Sequence, residues 1–173
     1  MSVSEHKQEA PKTVNCFVLT VSDTRTKETD KSGALMKQLL EEGQYCVTGY
    51  EIVKDSEQEI QAVIKEAAGR EDVEAILING GTGIASRDRT YEAVSQLLEK
   101  EMPGFGDLFR YLSYVEDIGS AAMLSRAVAG IYQDKAIFST PGSSGAVRLA
   151  MTKLIVPELG HVMREIYKDA KAR

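Results

Sequence analysis

The sequence predicts an α/β domain: a single three-layer unit with an open, mostly parallel sheet flanked by helices on both faces. Three observations point there. A short apolar run, a loop and a helical apolar stripe follow one another three times in succession, and such β-loop-α units join through right-handed crossovers into a parallel sheet. The first of these runs is apolar at consecutive positions instead of alternating, as in a strand covered on both faces. A length of 173 residues, with 43% hydrophobic and 27% charged residues, suits one ordinary globular domain.

Residues 1–13, MSVSEHKQEAPKT, are polar and lack an apolar signal-peptide core, so a flexible lead-in is expected before a domain spanning 14–173. Val14 to Val21 is the first strand. Leu35, Met36, Leu39 and Leu40 then recur at helical spacing up to Gly43. Val47 to Val53 is the second strand, followed by a stripe at Ile60, Val63, Ile64, Ala67 and Ala68 that opens on a capping box, Ser56 with Glu59. Ala75 to Ile78 is the third strand, leading through glycines to a helix with Val94, Leu97 and Leu98. A helix with Leu108, Phe109, Tyr111, Leu112 and Val115 comes next, then a helical segment over Ser120 to Ala129. Val128–Tyr132 and Ala136–Ser139, three residues apart, form a strand pair, and Pro157 opens the last helix.

Composition excludes several classes of function. The net charge of -5 gives no general attraction to nucleic acid or to an anionic membrane, so neither is expected as a partner. No apolar run approaches the roughly 20 residues of a membrane span. The two cysteines, Cys16 and Cys46, lie beside β-formers and read as small buried hydrophobes of a cytoplasmic protein. With only His6 and His161 present, neither a histidine triad nor a zinc site with the usual ligand spacing is expected.

In open α/β sheets ligands bind beyond the carboxyl ends of the strands. The loop after the first strand carries Ser22 and Asp23, then Asp30; the loop after the third carries Gly80-Gly81-Thr82-Gly83 and Arg87-Asp88-Arg89; the last strand ends in Pro141-Gly142-Ser143-Ser144. Glycines let backbone amides approach a phosphate, and a helix N-terminus favours anions. A plain strand-to-helix turn and an ordinary serine cap account for the same residues. Asp55 and Asp88 are the carboxylates best placed for Mg²⁺, which takes one or two carboxylates plus water and phosphate oxygens. Either would also serve at a helix N-terminus.

Taken in order, Thr20–Asp23, Asp30–Gly33, Gly80–Gly83 with Arg87–Thr90, Met102–Gly106, Ser125–Ala127 and Pro141–Ser143 resemble the MoaB/Mog family of molybdenum cofactor biosynthesis, closest to its B branch. The resemblance runs from about Val14 to the last helix. It implies a fold of the molybdopterin-binding type and transfer of adenylyl from Mg-ATP to molybdopterin, with pyrophosphate released. A non-catalytic molybdopterin carrier is the alternative. On this resemblance Asp55 and Asp88 are catalytic and hold Mg²⁺, Gly80, Gly81, Thr82 and Gly83 line the nucleotide site, and Pro141, Gly142, Ser143 and Ser144 hold the pterin's phosphate. Ser22, Asp23 and Asp30 form the rim, and a homo-oligomer, trimer or hexamer, is expected. Gly145 stands where a lysine is frequent, with Arg148 about one turn further on.

Overall fold

The computed structural model describes residues 2–170. Among them, six strands form one sheet in the order β2-β1-β3-β6-β5-β4: β1 Asn15–Val21, β2 Cys46–Val53, β3 Ala75–Asn79, β4 Lys100–Glu101, β5 Val128–Tyr132 and β6 Lys135–Thr140. β2, β1, β3 and β6 are mutually parallel, while β5 runs antiparallel to both its neighbours. The helices are α1 Val3–Gln8, α2 Lys31–Glu42, α3 Glu57–Ala68, α4 Thr90–Leu97, α5 Pro103–Glu116, α6 Ser144–Ala150 and α7 Val156–Tyr167.

Side chains alternate between the two faces of each strand, which divides the core. Cys16, Val18, Leu77 and Phe138 point to the layer of α2, α5, α6 and α7, where they meet Met36, Phe109, Met151 and Leu159. Phe17, Leu19, Ile76, Ile78 and Ile137 point to the other layer, against Ile60 and Ile64 of α3 and Val94 of α4. Every residue of β3 is buried. The expected three-layer α/β domain is therefore present.

Local differences have identifiable causes. Residues 1–13, expected as a flexible lead-in, include α1, whose start is capped reciprocally by Ser2 and Glu5. This helix is held to α7 by Lys7 with Glu158 and by Arg164 with Glu9. The capping box at Ser56 does not form, since no side chain caps α3. The segment expected to be helical from Ser120 to Ala129 splits into a 3-10 turn, Gly119–Leu124, and the start of β5. β4 is two charged residues long and leaves no apolar trace to read. Met151–Ile155 is π-helical and carries α6 into α7; Pro157 has no N–H to donate into the preceding turn, which accounts for the widened ladder. Both cysteines are free thiols, with Cys16 buried as expected but Cys46 exposed at the head of β2. Burial pushes the Cys16 thiol well above its ordinary range, so it remains an inert core group.

Candidate active site

The parallel strands β1, β2, β3 and β6 end on the same edge of the sheet, and their following loops meet there. Gly80 turns the chain out of β3 with φ +100°, and Gly81 continues with φ +69°, conformations that residues with a Cβ rarely adopt. The Gly80 amide is used by the carbonyl of Thr140 at 3.0 Å, so this glycine shapes the loop instead of offering a donor to a ligand. The amides of Gly81, Thr82 and Gly83 take no protein acceptor among the described residues, which leaves three donors in succession for an anion.

Two carboxylates close over that loop. A Cβ added to Gly81 would lie 2.7 Å from Asp55 Oδ2 and 2.2 Å from the Thr90 hydroxyl, and one added to Gly83 would lie 2.7 Å from Asp88 Oδ2. Asp55 Oδ1 accepts from the Arg89 amide at 2.9 Å, and Asp88 Oδ2 accepts from the Ala85 amide at 3.0 Å. Thr90 is fully buried and its hydroxyl has no partner. An orphaned hydroxyl and the Asp55 carboxylate at Gly81, with the Asp88 carboxylate at Gly83, are oxygen donors of the kind a hard cation such as Mg²⁺ takes. Burial, and then the like charges of Asp88 and Asp23, raise the Asp55 pKa above the ordinary value; the Arg89 amide and Arg87 only partly offset this.

That shift has a consequence for stability. A carboxyl whose pKa is higher in the folded state holds its proton more tightly there, so stability falls as pH rises through the window above the ordinary carboxylate range. At neutral pH, Asp55→Asn relieves the repulsion while keeping an oxygen for the Arg89 amide. Thermal denaturation is expected to show no loss and a small gain, about 1 °C after solvent screening. A variant that unfolds several degrees earlier contradicts this reading.

Asp23 is exposed on the loop that follows β1. Its Oδ2 accepts two bonds from Arg87, at 2.9 and 2.8 Å, and Oδ1 accepts from the Asp55 amide at 3.1 Å. The Arg87 bonds, above all, hold its pKa below the usual range. Ser22 is a loop former, its hydroxyl accepting from the amides of Thr24 and Arg25. Asp30, expected at the rim, is instead buried: it caps α2 by accepting from the Gly33 amide at 3.0 Å and receives the Tyr50 hydroxyl. Burial alone would raise its pKa, but the bonds from Thr20, Tyr50 and Gly33 and the charge of Arg25 outweigh it. Asn79, also buried, joins Ser32 to Thr20 in the same network.

Pro141 and Gly142 lead into α6, where Ser143 is the N-cap and accepts from the Ala146 amide at 3.2 Å. The amides of Gly142, Ser143 and Ser144 take no acceptor among the described residues. A Cβ on Gly142 would lie 3.1 Å from the Gly80 Cα, so the two glycine loops are in direct backbone contact. Gly145 and Arg148 are both exposed on α6.

Two arginines organise these loops without having been assigned a role from sequence. Arg25 donates to the Gly142 carbonyl at 2.9 Å and to Ser32, and it pairs with Asp30. Arg126 donates to the Gly83 carbonyl at 2.9 and 2.7 Å and to the Asp88 carbonyl at 3.0 Å, while pairing with Glu92. Each is a cation inside a loop motif of an acidic chain, and that was the available signal. Arg89, by contrast, turns away from the loops to pair with Glu57. Arg126→Ala is expected to lower the melting temperature by about 5 °C, roughly 2 kcal/mol for carbonyls left without donors. Lysine at this position rescues little because it lacks the planar fork; a full rescue in thermal denaturation would show that charge alone matters.

Three cavities lie elsewhere: one of about 420 Å³ bordered by Glu99, Ile131 and Glu165, one of about 330 Å³ bordered by Glu9, Pro11 and Tyr167, and one of about 200 Å³ bordered by Met102, His161 and Glu165. They lack glycine amides, and the donor chemistry assigns the site to the loops.

The description "Probable molybdopterin binding domain" matches residues 17–161. The chain is 66% identical over 169 residues to molybdenum cofactor biosynthesis protein B of Halalkalibacterium halodurans, covering 98% of this chain and 99% of that one. Against the protein of the same name from Bacillus subtilis, identity is 62%, with 98% and 99% covered. A crystal structure of a molybdenum cofactor biosynthesis protein B superposes with a TM-score of 0.90 at 59% identity, covering 92% of this chain and 99% of that chain.

Proposed function

This chain belongs to the molybdopterin-binding domain family of molybdenum cofactor biosynthesis, and from that premise we propose that it is a Mg-ATP-dependent molybdopterin adenylyltransferase acting in the cytoplasm. The observation that carries the proposal is the placement of Asp55 Oδ2, Asp88 Oδ2 and the unpaired Thr90 hydroxyl against Gly81 and Gly83. A pterin carrier needs anion donors, but it does not need a cation site beside them.

In the proposed reaction an oxygen of the pterin's terminal phosphate bonds to the α-phosphorus of ATP, and the bond from that phosphorus to the β-phosphate oxygen breaks, releasing pyrophosphate. The attacking group is already anionic, so no side chain has to take a proton. Catalysis then consists of holding two phosphates in line and balancing their charge. The free amides of Gly81, Thr82 and Gly83 receive the nucleotide phosphates, and those of Gly142, Ser143 and Ser144 receive the pterin phosphate. The contact between Gly80 and Gly142 brings the two cradles together, while Arg25 and Arg126 fix their carbonyls. Asp55 and Asp88 hold Mg²⁺, which when bound neutralises charge on the phosphates. Neither histidine belongs to these loops, as suits a reaction without a general base.

We also propose a homo-oligomer, supported by the exposed apolar face of Leu108, Tyr111, Tyr114, Val115 and Ile118 at the end of α5, a larger patch than single scattered apolar residues make. The test of the activity is pyrophosphate release by the purified chain. Release is expected only with ATP, Mg²⁺ and molybdopterin together. Pterin binding without turnover by folded protein would overturn the enzyme reading in favour of a carrier.

A further inference from the structure

We propose that His6, His161 and Glu165 form a binding site for a divalent first-row transition metal, with zinc the best-fitting ion, that clasps α1 to α7. Both histidines of the chain meet here, although they lie near opposite ends of the sequence. One nitrogen from each ring and one Glu165 oxygen lie within 4.8 Å of one another. His6 Nδ1 is 3.3 Å from Glu165 Oε1, and His161 Nε2 is 4.0 Å from the same oxygen. Donors of a tetrahedral zinc ion at about 2 Å stand about 3.3 Å apart, so small side-chain rotations suffice. His161 and Glu165 are four residues apart on α7, the spacing that places two ligands on one helix face.

A second feature is one that metal-ligating histidines share. His161 Nδ1 lies 3.0 Å from Glu158 Oε2, and a carboxylate on the far nitrogen fixes the ring so that Nε2 is presented to the ion. The three side chains are half-buried, and Glu165 borders both neighbouring cavities, which gives a fourth ligand position room for water. Two nitrogens and one oxygen suit zinc or nickel, in contrast to the all-oxygen set around Asp55 and Asp88. Lys168 and Arg164 also approach Glu165, at 2.7 and 3.0 Å.

The experiment is calorimetric titration of the untagged, EDTA-stripped full chain with zinc alone, repeated with cobalt, whose visible spectrum reports coordination. One ion per chain is expected, with the melting temperature raised by zinc and restored by EDTA. His6→Ala and His161→Ala each weaken binding by at least about tenfold, and Glu158→Gln by about tenfold through loss of ring orientation. Circular dichroism verifies that each variant is folded, and His6→Gln, on the exposed short helix, supplies an independent ligand deletion should His161→Ala unfold. Unchanged zinc affinity in His6→Gln, or loss of zinc binding in Asp55→Asn with Asp88→Asn while the histidine variants bind normally, would overturn the proposal.

Discussion

Asp88→Asn is expected, on the proposed adenylyl transfer, to reduce pterin-dependent pyrophosphate release by about 10² to 10³, the effect of losing one charge-stabilising group worth roughly 3–4 kcal/mol in the transition state. The substitution retains an oxygen for the Ala85 amide, which now binds Asp88 at 3.0 Å, so the loop keeps its course. Only the negative charge is removed. Pterin affinity should stay within about twofold, because the cradle proposed for the pterin phosphate at the start of α6 contains no part of Asp88. The melting temperature should hold within about 2 °C. Steady-state turnover and a pterin binding isotherm on the same preparation separate the outcomes: a variant that retains its rate removes Asp88 from catalysis, and one that loses pterin binding moves it into the pterin site.

Gly80→Ala is expected to have the largest effect on stability. The backbone sits at φ +100°, and the added methyl would lie 2.2 Å from the Val21 carbonyl oxygen, a main-chain atom at the end of the interior strand β1 that cannot swing aside. Strain and overlap together cost about 3 kcal/mol or more, a fall of roughly 6 to 12 °C for a domain of this size. Gly80 also touches Gly142, so on the proposed function turnover should fall along with stability as the two glycine loops separate. A variant melting within 2 °C of the parent would show that the turn can be rebuilt without the left-handed residue.

Much of this arrangement was legible in the sequence, and what was missed has a physical pattern. Strands β1 and β3 are buried on both faces, and continuous apolar runs announce that directly. Asp55, Asp88 and the glycine loops could be picked out because they follow the strand ends directly, and the parallel topology then brings those loops to one edge of the sheet. Asp30 and Arg126 were misjudged or left without a role because their positions depend on distant partners: Tyr50 for the first, Gly83 and Glu92 for the second. Local spacing carries no record of such contacts. The two-residue β4 strand and the exposure of Cys46 likewise follow from sheet edges, which sequence periodicity does not mark. The helix at the N-terminus depends on ion pairs to α7, formed by residues some 150 positions away.

The strand order carries a consequence for how the molecule is made. β6 is the last strand in the chain, yet it occupies an interior position between β3 and β5. During synthesis, β1, β2 and β3 emerge first and can pair, but β3 then ends the growing sheet with Ile76, Leu77 and Ile78 beside an unfilled row of peptide groups. Such an edge is sticky toward other chains. It is capped only when Lys135–Thr140 leaves the ribosome, and the same event delivers Gly142 to Gly80. Nascent chains truncated before that point therefore carry an aggregation hazard, and completion of the sheet coincides with the meeting of the two glycine loops.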